Sequence, residues 1–401
     1  MRPLLKNVTL WSLTLGHFSV DMLAGAMPIV VGLYLKESLG LSLAQIGLLL
    51  GAFKMTSSLT QPIFGYLSDR YGGRWFAVGG VLWIAIFQGL VGYMPTFGSA
   101  LAMAMLAGFG SAAFHPQGAS GANIAAGDQK TAGVAMFMLG GNMGFAIGPI
   151  LAALIMGSFG MHGTAVLAGI VLVIAPLLYF LTGRAVKQGT NKEANWRIEL
   201  NPLFTITAVV ALIVVMSLRA WGSESFSSFV PQFFVDIAGF SKAKASLLSS
   251  LMLFTLAFGS ITGGILADRV GAVRVMATSM LLAAPLMAAV FLLGDARAFW
   301  VAPFLGFCNG AAWPPMLVMA QSLFHKNRGV GSGVALGFVF AMGGLGVNLT
   351  GWLAEPTQLG LYNAMMLLSI VPLITAMLVF LLPTQRTKPA VMPGQAVPVK
   401  G

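Results

Sequence analysis

His17 and Asp21 stand four residues apart in a run of apolar residues, so a helix would place both side chains on one face. Lys54, His115, Arg219 and Glu224 interrupt other apolar runs in the same way. Ionisable groups are costly in hydrocarbon, and where they occur they bind substrate, relay protons or pair with one another. At ~1.5 Å per residue, Asp21 lies ~20 Å along its run and Lys54 ~17 Å along the next, entered from the opposite side. The two therefore reach a similar depth, and Arg219 comes ~26 Å along the seventh run. Imidazole ordinarily titrates near pH 6.5, and Pro116 beside His115 removes a helix hydrogen bond. Asp21, His115 and Glu224 are thus candidate proton carriers, and His17, Asp21, Lys54 and Arg219 candidate substrate ligands. Arg219 or Lys54 is expected to set the proton affinity of Asp21. The competing reading is an Asp21–Lys54 or Asp21–Arg219 pair that only locks helices together, with His115 neutral against a neighbouring helix.

The elements that must carry these residues follow from composition. The 401 residues are 57% hydrophobic and 8% charged, with mean hydropathy +0.87, a balance that suits a chain whose solvent is lipid. A helix needs ~20 apolar residues to cross the bilayer core. Twelve such stretches are expected, over 8–35, 43–66, 75–94, 97–119, 131–156, 163–181, 202–235, 245–267, 275–293, 298–323, 331–352 and 359–382. Alternation of period two is absent, which argues against a β-barrel. With the N-terminus inside, 16 of the 22 Lys and Arg fall on cytoplasmic segments and 4 on outer loops. That asymmetry predicts both termini in the cytoplasm, in a multi-pass protein of the cytoplasmic (inner) membrane. The net charge of +11 therefore reports topology and not a nucleic-acid partner. Cys308 is the single cysteine, so there is no disulfide framework. No metal-ligand spacing, nucleophile motif or phosphate-binding loop is present, so neither an enzyme nor a cofactor is expected.

The polar interlude Gly183–Asn201 divides the chain into an N-terminal bundle (1–183), a cytoplasmic linker (184–201), a C-terminal bundle (202–384) and an unstructured tail (385–401). Between spans 2 and 3 stands Gly65-Tyr66-Leu67-Ser68-Asp69-Arg70-Tyr71-Gly72-Gly73-Arg74. Between spans 8 and 9 stands Gly264-Ile265-Leu266-Ala267-Asp268-Arg269-Val270-Gly271, and Asp268 follows Asp69 by 199 positions. Six helices repeated twice is what alternating access requires, with the substrate site at the interface between repeats. The glycines allow a tight turn, the arginines hold it at the headgroup level, and the acid can face the N-terminal end of a neighbouring helix. Gly65, Asp69, Arg70, Gly72, Arg74, Gly264, Asp268 and Arg269 are therefore candidate gate residues. Asp69 is expected to lie by span 11 and Asp268 by span 5.

The two loops resemble the signature of the major facilitator superfamily. A narrower resemblance, to the fosmidomycin-resistance family, rests on His17-Phe18-Ser19-Val20-Asp21, Ser58-Leu59-Thr60-Gln61-Pro62 and Gly110 to Pro116. It extends to Gly140-Gly141-Asn142-Met143-Gly144 with Gly148-Pro149, and to Gly343-Gly344-Leu345-Gly346. What this resemblance implies is an all-α fold of two pseudo-symmetric six-helix bundles and a monomer that exports a small organic compound by proton antiport. It also marks Asn142 as a substrate ligand. The chain departs from the pattern at Lys54, where a neutral polar residue is usual, and at Ala152 and Ala153, where glycines are usual. A proton-coupled importer of a small carboxylate or sugar, or a lipid flippase, would leave much the same sequence.

Overall fold

A computed structural model describes residues 6–182, 199–201, 205–326 and 328–383. Most of the linker and the tail 385–401 lie outside the described residues. Each expected span coincides with a helix or a helix pair, within a few residues. Span 1 is Val8–Ile29, loosening to a π-helical stretch over Val30–Leu35 and a final turn Lys36–Leu39. Span 2 is Leu43–Leu59 with Gln61–Tyr71, span 3 Gly73–Val91, span 4 Phe97–Ala125, span 5 Lys130–Phe159, and span 6 Gly163–Leu172 with Ile174–Leu181. In the second half come Ile206–Asp236, Lys242–Val270, Ala272–Leu293, Ala298–Ala311 with Trp313–Ser322, Arg328–Leu353, and Gly360–Leu368 with Ile370–Val379.

The helix starts and breaks have local causes. Asn7, Ser42, Thr96, Thr205 and Ser241 each accept a backbone N–H of the first turn that would otherwise lack a partner. The interruptions at Thr60, Val173, Ala312 and Ser369 fall two or three residues before Pro62, Pro176, Pro314 and Pro372. Proline lacks the N–H and crowds the preceding turn, so the ladder breaks just upstream of it. Eight helical runs among the described residues are long and apolar enough to cross a membrane. One of them, Ala132–Leu181, holds both span 5 and span 6, joined by the 3-10 turn Gly160–His162.

The repeat is visible in the backbone of the two signature loops. Gly72 has φ 96° and ψ 134°, and Gly271, 199 positions later, φ 99° and ψ 140°. Each donates its N–H to the carbonyl four residues back, Ser68 at 2.8 Å and Ala267 at 2.9 Å. A side chain is strained at such a φ, so glycine is required at both turns. Arg74 ties the first loop to span 6, donating to the Tyr179 carbonyl with its guanidinium 3.9 Å from the Tyr179 ring centroid. Asp268 is exposed and makes no ion pair among the described residues. The side chain of Asp69 lies outside the described residues, as do those of 328–336 at the start of span 11. Among the described residues there is one strand pairing: Glu199–Leu200 runs antiparallel to Phe324–Lys326, joining the end of the linker to the end of span 10.

Spans 2 and 11 pack along their length, and so do spans 5 and 8. At Gly51 and Gly344 a Cβ on either would run into the other's carbonyl oxygen, so the two halves meet here backbone to backbone. At the end of the bundle opposite the signature loops, Lys36 pairs with Asp236 and Glu37 with Lys242 (2.6 Å), both across the halves. Glu355 accepts from the backbone of Ala44 at 2.6 Å on the same side. The periphery carries large apolar side chains, Trp75, Phe180, Trp300 and Phe380 among them, as a lipid-facing surface requires.

Candidate functional site

Span 1 brings His17 and Asp21 onto one buried face, one turn apart, with His17 Nε2 3.1 Å from Asp21 Oδ2. Span 4 supplies His115, whose Nε2 lies 3.1 Å from the other oxygen, Oδ1. Each ring is held from behind by a backbone carbonyl. His17 Nδ1 is 2.8 Å from the Phe137 oxygen on span 5, and His115 Nδ1 is 2.7 Å from the Ser111 oxygen one turn back. His17 also stacks on the buried Phe137 ring, centroid to centroid 4.1 Å, and meets His115 edge-on at 5.1 Å. The Ser57 hydroxyl donates to Ser111 Oγ at 2.9 Å, which links span 2 to the cluster.

These contacts fix a proton count. A carbonyl oxygen only accepts, so both Nδ1 atoms carry hydrogen. Each Nε2 then faces a carboxylate oxygen, and each of those two contacts needs one further proton. Two imidazoliums with a carboxylate satisfy both contacts, and so do one imidazolium, one imidazole and a carboxylic acid. The cluster carries a net charge of +1 in either case. Removing one proton leaves it neutral, with lone pair against lone pair at one contact, which must then open. One nitrogen or oxygen atom from each of the three side chains lies within 4.8 Å of the others, close enough to enclose a cation. Both Nε2 atoms are nevertheless engaged directly with the carboxylate, so the arrangement is that of a proton-sharing cluster.

Gly141 on span 5 makes the cluster possible. A Cβ there would stand 2.5 Å from Asp21 Oδ2 and from His17 Nε2. The sequence hides this position among 50 glycines. The neighbouring Asn142 is half-buried and makes no hydrogen bond to the cluster among the described residues.

The remaining intramembrane charges pair differently from the sequence expectation. Lys54 forms an ion pair with Glu224, joining span 2 of the first half to span 7 of the second. Neither Lys54 nor Arg219 pairs with Asp21, whose partners are the two histidines. The expectation of a cation from either residue beside Asp21 is corrected on this point. The azimuth of one helix against another decides such pairings, and depth along the helix does not reveal it. Gly343 and Gly344 of span 11 lie against Glu224 and Lys54, leaving room for the pair. Arg219 is 7% exposed; it donates from Nη2 to the Asn309 carbonyl at 2.9 Å and lies 4.7 Å from the Trp313 ring centroid.

A helical chain whose apolar helices are long enough to cross a membrane, and whose two signature loops repeat one backbone turn, has the architecture of a polytopic membrane protein. A family model, the Major Facilitator Superfamily, matches residues 13–242 and again 212–399, and the chain belongs to that superfamily. It is a transporter, not an enzyme. It is 31% identical over 387 residues to the Fosmidomycin resistance protein of Escherichia coli (strain K12), covering 94% of this chain and 93% of that one. It is 28% identical to a probable nitrate/nitrite antiporter, NarK1, of Thermus thermophilus, over 67% of this chain and 62% of that one. Among solved structures, an inward-facing bacterial homolog of the human lysosomal transporter Spinster matches with a TM-score of 0.77. Identity there is 18%, over 93% of this chain and 95% of that one, and the likeness shows the fold.

Proposed function

We propose that this chain exports a small organic compound across the cytoplasmic membrane in exchange for protons, by alternating access of its two halves. The observation that carries the proposal is the His17–Asp21–His115 cluster. His17 and Asp21 are buried midway along span 1, His115 of span 4 is half-buried beside them, and the hydrogen bonds of the cluster are complete with one proton count and broken with one fewer. A coupling site must change its contacts when it gains or loses a proton, and this one does so by geometry alone. Export is supported by the resistance named for the E. coli relative. Asp21 and His115 carry the proton, His17 shares it, and Glu224 is reassigned to hold Lys54. Both termini face the cytoplasm, so the end tied by Lys36–Asp236 and Glu37–Lys242 is periplasmic. Gly65, Asp69, Arg70, Gly72, Arg74, Gly264, Asp268 and Arg269 form the cytoplasmic gate, which closes when those outer pairs part.

The test is transport by the purified protein in proteoliposomes under an imposed pH gradient, against a panel of phosphonates, drugs, sugars and lysolipids. At least one compound should move uphill, against the proton flow. Gly141→Ala pushes a methyl group between Asp21 and His17 and should abolish that uphill component. Gly169→Ala, where an added Cβ meets nothing within 4 Å, should leave it intact. Uphill transport that survives in Gly141→Ala would remove the cluster from the coupling mechanism.

A further inference from the structure

The membrane interior of this protein holds a second polar cluster at the equivalent place, centred on a guanidinium where the first is centred on a carboxyl group. Asp21 of span 1 meets His115 of span 4, and His115 is held by the Ser111 carbonyl. Arg219 of span 7 meets Trp313 of span 10, and Arg219 is held by the Asn309 carbonyl. Arg219 follows Asp21 by 198 positions, Trp313 follows His115 by 198, and Asn309 follows Ser111 by 198. Pro314 follows Pro116 by the same number, so a proline stands beside each cluster. The two halves therefore place their principal charges at equivalent points. One is an acid against an imidazole, the other a guanidinium against an indole.

The second cluster is incomplete. A guanidinium carries five N–H donors and accepts nothing. Among the described residues, Arg219 donates one hydrogen bond, to the Asn309 carbonyl, and forms no ion pair. Its Nε is buried without a partner. The nearest acid along its own helix, Glu224, is taken by Lys54. Burying a cation without an anion is expensive, and Trp313 compensates only through its ring face. Both acids of the membrane interior are thus engaged elsewhere among the described residues: Glu224 pairs with Lys54 and Asp21 with its two histidines, and Arg219 is left without an anion at ion-pair distance. Two acids and two cations in the sequence leave the sign of a ligand open, and the pairing in the fold resolves it.

We infer that the Arg219–Trp313 cluster binds the negatively charged group of a small organic anion. The planar fork of Arg219 takes the carboxylate or phosphonate oxygens, and Trp313 packs against the guanidinium from the other side. The inference rests on the transporter reading above and names its substrate class. The chain then divides the work of antiport between its repeats, with protons in the first half and the anion in the second.

The test is direct binding to the full-length protein in detergent, by calorimetry, with four probes of one shape: benzoate, phenylphosphonate, benzamide and benzylamine. Benzoate or phenylphosphonate should bind, and the uncharged amide and the cation at least about tenfold more weakly, as expected for hydrogen bonds to a charged group. Arg219→Gln should lose the anion by a similar factor and melt no lower than wild type, because the buried charge it removes has no ion-pair partner among the described residues and an amide can still donate to the Asn309 carbonyl. Arg219→Lys should keep the preference for anions at reduced affinity, and it decides the matter if the Gln variant does not fold. Equal binding of benzamide, no anion binding by wild type, or unchanged anion binding in Arg219→Gln would each overturn the inference. No gradient is applied, so binding of anions without pH-driven transport would sink only the antiport proposal. Proton-driven transport of neutral compounds by a protein that binds no anion would sink only this one.

Discussion

Asp21→Asn should bring proton-driven accumulation to nothing while leaving downhill exchange of substrate in place. With one proton exchanged per substrate and the membrane potential clamped, a gradient of one pH unit supplies ~1.4 kcal/mol, about a tenfold accumulation. The variant should reach a ratio of one. The fold should survive, because an amide can donate to one imidazole and accept from the other, imitating the protonated cluster. Loss of expression or of substrate exchange along with accumulation would point to a structural role for Asp21. Wild-type accumulation in Asp21→Asn would exclude the carboxylate as the coupling group, and His115→Gln would then have to show the loss.

The second large effect is expected at the ion pair between the halves. Lys54→Gln and Glu224→Gln each leave one charge in the membrane interior without its partner. Breaking a fully buried pair costs 3–5 kcal/mol in general. The side chains here keep 20% and 22% of their surface, so about 2 kcal/mol is the more reasonable scale. Both single variants should melt measurably below wild type, and the double variant should recover most of the loss. Glu224→Gln should be the more harmful of the two, since it leaves Lys54 bare and also removes an acid whose field reaches the already unpaired Arg219. Melting losses that simply add in the double variant would show that the two groups do not interact.

How far the sequence disclosed this arrangement depends on the range of the interaction. The spans follow from runs of apolar residues, and the signature loops betray the repeat through their glycines. Gly72 and Gly271 share one backbone conformation because each closes the same turn. His17 and Asp21 meet because four residues make one helical turn, which any helix guarantees. His115 was a candidate on its chemistry, but its contact with Asp21 depends on how span 4 is rotated against span 1. Local sequence does not carry that rotation. For the same reason Lys54 looked like a partner for Asp21 at similar depth, whereas it faces the other half and Glu224. Gly141 matters through an absent side chain and has no signal of its own. The 198-position register was also out of view, because the signature loops repeat at 199 and place Asp21 opposite Ala220 in place of Arg219.

The direction of proton movement during substrate efflux tests the exchange of protons for substrate most directly. Proteoliposomes loaded with a transported compound and a pH-sensitive dye are diluted into compound-free buffer at the same pH, with potential clamped. As the compound leaves, antiport must carry protons inward, so the lumen should acidify, and Asp21→Asn should lose the acidification while still releasing compound. Alkalinisation would make the protein a symporter, and efflux without any pH change would make it a facilitator; either result contradicts antiport through the His17–Asp21–His115 cluster.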